Sequence, residues 1–79
     1  MNTATRERGP VAASYPPRGM RRVEAARYVG IGTTTFDAWV ADGRLPAGVK
    51  EGGVVLWDRL ALDAAMDALF DAHPEDIRL

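Results

Sequence analysis

Few side chains in this sequence have the types and spacing that chemistry requires. Ser14 is a hydroxyl whose only histidine partner is His73, and nothing in their spacing brings the two together, so no serine–histidine pair is expected. Asp63, Asp67 and Asp71 recur every fourth residue, which places three carboxylates on one helical face, most simply a solvated stripe. Gly30-Ile31-Gly32 lacks the third glycine of a phosphate-cradling loop and follows a helical pattern, where such a loop follows a strand. Without cysteine there is no thiolate, disulfide or cysteine-based zinc site, and one histidine cannot build a multi-histidine metal centre. The residues predict neither an enzyme nor a protein that binds a cofactor or metal. A reducing, cytoplasmic setting fits, and no membrane partner is expected: no apolar run is long enough to span a bilayer, and no charged-then-apolar signal segment opens the sequence.

The chemistry the residues do favour is contact with a polyanion. Residues 1–50 hold eight Arg and Lys side chains against four Asp and Glu, a net +4, whereas residues 51–79 hold two against seven, a net −5. A nucleic acid would use the first part and be repelled by the last. Within the first part, Thr33, Thr34 and Thr35 cluster where a helix is expected to begin. Hydroxyls and unbonded N–H groups at a helix N-terminus suit phosphate oxygens. The plain alternative is that Thr33 or Thr34 only caps that helix. Arg44 follows the helix and Lys50 lies on an expected hairpin, both able to hold phosphates. Thr34 and Asp37 are expected to face a groove, with Asp37 a possible acceptor from cytosine N4 unless it bridges to Arg27 or Arg44.

The elements needed to position these groups follow from periodicity and turn residues. Residues 1–19, with Pro10, Pro16, Pro17, Gly9 and Gly19, read as a flexible arginine-containing arm. Val23, Ala26 and Val29 mark a first helix ended by Gly30 and Gly32, with Ile31 able to plug the core. A second helix is expected from Thr33 to Asp42, with Phe36, Trp39 and Val40 on its apolar face, and Gly43 and Pro46 stop it. Gly52-Gly53 between two β-rich runs predicts a hairpin whose short first arm makes it a wing. Asp58 caps a third helix reaching about Ala72, with Leu62, Ala65, Met66, Leu69 and Phe70 as its apolar stripe. Pro74 closes it, leaving residues 74–79 as a tail. Phe36, Val40 and Trp57 are expected in the core. The fold class is mainly α: a winged helix-turn-helix with a small β-hairpin wing over residues 20–73.

The stretch from Arg22 to Leu69 resembles the MerR-like DNA-binding domains of phage and mobile-element excisionases and AlpA-type regulators. That stretch is about three-fifths of the chain, and the segments that carry the resemblance are EAARYVGIG, TTTFDAWVADGRLP and LWDRLALDAAMDAL. It implies a recognition helix at Thr33–Asp42, a phosphate contact at Arg44 and a wing over the neighbouring minor groove. The chain departs from the family where Gly32 replaces the usual Ser, and where Asp37 and Ala38 stand in place of an aromatic and a basic residue. In the wing, Val54 and Val55 stand where basic residues are common.

The expected partner is double-stranded DNA. The expected role is recombination directionality: binding and bending DNA near an attachment site to assist a tyrosine or serine integrase. A transcriptional regulator of the AlpA type, or a protein-interaction module without DNA binding, remain open at this point. A contact surface poor in cations also suggests cooperative head-to-tail self-association on DNA, with the arm or Arg21 and Arg22 of one protomer meeting the Asp63, Asp67 and Asp71 face of the next.

Overall fold

Two glycines in the left-handed region fix the path of the first half of the chain. The computed structural model describes residues 16–73. Helix α1 spans Arg22–Val29 and ends at Gly30, whose φ of 86° a side chain would resist. There the Gly30 N–H donates to the Arg27 carbonyl and the Ile31 N–H to the Ala26 carbonyl, a Schellman closure. Helix α2, Thr33–Ala41, ends in the same way. Gly43 has φ 88° and donates to the Val40 carbonyl, while the Arg44 N–H donates to Trp39. Both turns direct the next apolar residue inward: Ile31 packs against the core and Leu45 is buried in it.

The second half begins with a tight hairpin of β2, Val49–Glu51, and β3, Val54–Asp58. Val49 faces Leu56 and Glu51 faces Val54, which leaves Gly52 and Gly53 as the two turn residues. Gly52 at φ 60° suits the first central position of a type II′ turn. Helix α3 follows at once, Arg59–Asp71, with Asp58 at its N-cap accepting from the Leu60 N–H at 3.1 Å. A short strand β1, Gly19–Met20, pairs antiparallel with the other edge of β3. Among the described residues the result is three helices and a three-stranded antiparallel sheet in the order β1-β3-β2.

The core joins the three helices to β1 and β3. Met20, Ala25, Ala26, Phe36, Leu45, Trp57 and Leu62 are buried together, with Val29, Ile31, Trp39, Val40, Ala65 and Met66 packed around them. Phe36 of α2 meets Trp57 of β3 edge to face at 5.2 Å between ring centroids. The Trp57 indole N–H donates to the Pro46 carbonyl at 2.9 Å, so its polar end is satisfied.

Several sequence expectations change. Strand β1 was not foreseen: Gly19, placed by the sequence in a flexible arm, is paired in the sheet, and the Arg18 carbonyl accepts from the Arg59 N–H. The rest of that arm, residues 1–15, and the tail at 74–79 lie outside the described residues. Val23 is 50% exposed because α1 is short and inserts its small Ala25 and Ala26 face into the core. Phe70, expected in the apolar stripe of α3, is 67% exposed because that stripe packs against the core only through Leu62, Ala65 and Met66. Among the described residues no helix is long and apolar enough to cross a membrane.

Candidate nucleic-acid interface

Helix α2 is anchored from one side only. Phe36 is its single fully buried side chain, with Trp39 and Val40 partly buried beside it. Thr34, Thr35, Asp37, Ala38 and Ala41 are exposed. Apart from Asp37, that outward face is short and uncharged, so the helix backbone can come close to whatever lies against it.

The first turn of α2 is open. Its N-cap is Gly32, which offers no side chain, so neither Thr33 nor Thr34 is the cap, contrary to the simpler sequence reading. Thr33, Thr34 and Thr35 are the first three helical residues, and the first backbone bond of the helix is Phe36 N–H to the Gly32 carbonyl at 2.9 Å. The amides of the three threonines precede that bond and have no partner within the helix.

The basic residues are spread around this face. Arg44, next to the C-terminal end of α2, is exposed, lies over the Trp39 ring at 5.6 Å and pairs with Asp42 at 3.3 Å. Lys50 is in register with Val55, and alternation along β3 puts that pair on the same sheet face as Trp57. Since Trp57 packs on Phe36, Lys50 stands on the side of the sheet turned toward α2. Arg21 is the N-cap residue of α1 and is exposed.

Arg22 and Asp37 are brought together, and neither Arg27 nor Arg44 bridges to Asp37. The Arg22 Nε–H donates to Asp37 Oδ1 at 2.8 Å and its Nη2–H to Oδ2 at 2.6 Å. The side chains are about half exposed. These hydrogen bonds hold the Asp37 carboxyl below its usual range and raise the Arg22 guanidinium above its own. The bond crosses from the first residue of α1 to the outer face of α2. A separation of 15 residues without helical spacing gives it no local sequence signal.

Two further polar links were not legible either. Arg18 forks onto the Asp58 carboxylate, so the N-cap of α3 is itself held by the residue preceding β1. Those bonds lower the Asp58 pKa and raise that of Arg18. The Tyr28 hydroxyl donates to Asp63 Oδ1 at 2.6 Å, tying α1 to α3 and taking Asp63 out of a purely solvated acidic stripe. A charge pattern alone shows which side chains are ionic; it does not show which of them the fold makes neighbours.

No family model, no curated protein and no solved structure matches this chain.

Among the described residues there is no cluster of three or more His, Cys, Asp or Glu side chains able to hold a metal ion. The exposed polar groups on and around α2 are hydroxyls, backbone amides, one arginine–aspartate pair and the cations Arg21, Arg44 and Lys50. They can offer hydrogen bonds to an extended anionic surface.

Proposed function

We propose that the chain is a winged helix-turn-helix protein that binds double-stranded DNA with sequence preference. In this reading α2 enters the major groove and the β2–β3 hairpin is the wing. The observation that carries it is the outward face of α2: small, exposed and open at its first turn, with Arg44 just past its end. Threonine hydroxyls and N-terminal amides would fix the helix on phosphates, while Arg44 and Lys50 would hold the flanking backbone. The resemblance to excisionase domains supports the further proposal of a recombination directionality factor acting beside an integrase. Regulation of transcription by the same contacts is the alternative within this reading.

A second reading is favoured by a specific observation: Val55, where a wing would carry a cation, is 40% exposed and Val49 on the opposite face is 61% exposed, so the hairpin displays apolar surface on both faces. That surface suits a protein partner. Fluorescence anisotropy with a random-sequence duplex at several salt concentrations separates the two. DNA binding through about three to five phosphates predicts a log–log salt slope of about −3 to −4. Arg44→Ala should weaken all duplexes alike and make the slope shallower by about 0.9. Binding that ignores salt, or no binding at all, would sink the DNA reading and leave the apolar hairpin as the candidate contact.

A further inference from the structure

We propose that Arg22 and Asp37 form one guanine-reading element, in which Arg22 meets the base and Asp37 is the positioning residue. The inference rests on the reading of α2 as the groove-facing helix and assigns a ligand chemistry within it.

The geometry of the pair supplies the argument. A guanidinium has five N–H donors in a fixed plane. Asp37 engages the Nε–H and one Nη2–H, at 2.8 and 2.6 Å, along one edge of that plane. The adjoining edge, formed by Nη1 and the second Nη2 hydrogen, keeps its donors. Two parallel N–H groups match the O6 and N7 acceptors that guanine presents in the major groove. The bidentate clamp fixes the plane, so part of the ordering that a lone arginine would undergo on binding is already done.

Placement favours a base over a phosphate. Asp37 shares the outward face of α2 with Thr34, Ala38 and Ala41, the face that would meet base edges. A bare carboxylate there would repel DNA. Paired with Arg22 it is neutralised and becomes a support. The pair carries no net charge, so it adds little to indiscriminate attraction and bears mainly on selectivity. Asp37 accepting from cytosine N4 by itself would use only the lone pairs left over from its two bonds to Arg22.

The test uses the full chain. Preferred duplexes are selected from a pool with randomised positions, and anisotropy then measures the selected duplex against every single-base change. The parent should prefer guanine at one position by roughly 5- to 150-fold. Arg22→Ala, Arg22→Lys and Asp37→Ala should each erase that preference, the double substitution should erase no more than either, and Asp37→Glu should restore part of it. Asp37→Ala should also tighten binding to random duplex, since it unmasks a cation. Preference lost with Asp37→Ala yet kept with Arg22→Lys would overturn the assignment, because Asp37 would then read the base itself. Uniform weakening by Arg22→Ala with every preference intact would overturn it in favour of a phosphate contact. A parent that binds duplex without any guanine preference overturns it while leaving the DNA reading intact, whereas a parent that binds no duplex removes that reading first. Melting curves for each variant separate a folding defect from a change in preference, and Arg22→Lys, which keeps charge and stem, decides if the alanine variants do not fold.

Discussion

Helices α2 and α3 make opposite use of their sequences. Helix α3 has strong local signals at its start: Asp58, braced by Arg18, caps it, good helix formers follow, and its acidic residues lie off the buried stripe. Helix α2 begins with a capless glycine and three β-branched threonines, all weak helix starters, and buries one side chain fully. It is held instead by what surrounds it: the Trp57 ring against Phe36, and the closing bonds from Arg44 and Leu45 N–H to the Trp39 carbonyl. A helix positioned from outside has its own outer face left over for another molecule. A helix that stabilises itself has less need of support and can carry repelling charge.

The largest expected break in this contrast is Phe36→Ala. Losing a fully buried phenyl ring should cost about 3–5 kcal/mol, much of the stability of a domain this small. Thermal melting checks the magnitude. Hydrogen exchange should show α2 amides losing protection before those of α3, and equal loss in both helices would mean that α2 has no special dependence on Phe36.

A smaller effect is expected at Gly48, in the connection that brings the chain from α2 to the sheet. A Cβ there would sit 2.5 Å from Val55 Cγ1 and 2.9 Å from Trp57 Cζ2, so Gly48→Ala must displace Val55 and the indole that packs on Phe36. The cost should be about 1–3 kcal/mol. Gly53→Ala, whose Cβ meets nothing within 4 Å, is the matched control and should melt close to the parent.

The smallest effect concerns the α1–α3 link. Donation to Asp63 raises the Tyr28 phenol pKa, with burial and the carboxylate charge adding to it and Arg59 opposing. The folded state therefore holds this proton more tightly than the unfolded chain. Its stabilisation is fully present below the ordinary phenol range near pH ~10 and is lost as pH rises through the folded value. The difference in melting temperature between parent and Tyr28→Phe should be constant at neutral pH and shrink under strongly alkaline conditions. A difference that persists there would place the ionisation elsewhere.

Local sequence rules identified most of the elements, because each has a local cause. Gly30 and Gly43 end helices, Gly52-Gly53 turns the hairpin and Asp58 starts α3, all through bonds within a few residues. Phe36 and Trp57 were legible as core because each lies on the apolar side of an element with further elements before and after it, unlike Phe70 near the end of α3. Strand β1 was hidden because Gly19-Met20 has no pattern of its own and becomes a strand only when β3 lies beside it. The Arg22–Asp37 pair was hidden for the same reason: both residues were singled out, but their bond depends on how α1 crosses α2. Burial of Val23 and Phe70 was overestimated because period gives the direction of a side chain and says nothing about where the neighbouring element ends.

The order β1-β3-β2 also has a consequence for biosynthesis. As the chain leaves the ribosome, both outer strands are made before the central one that pairs with them. Met20 and Phe36 emerge without Trp57, and the first two helices emerge without the ring that holds them. The nascent chain therefore cannot complete its core piece by piece. Stable folding must wait for β3 to clear the exit tunnel, after which both edges of the sheet can close together.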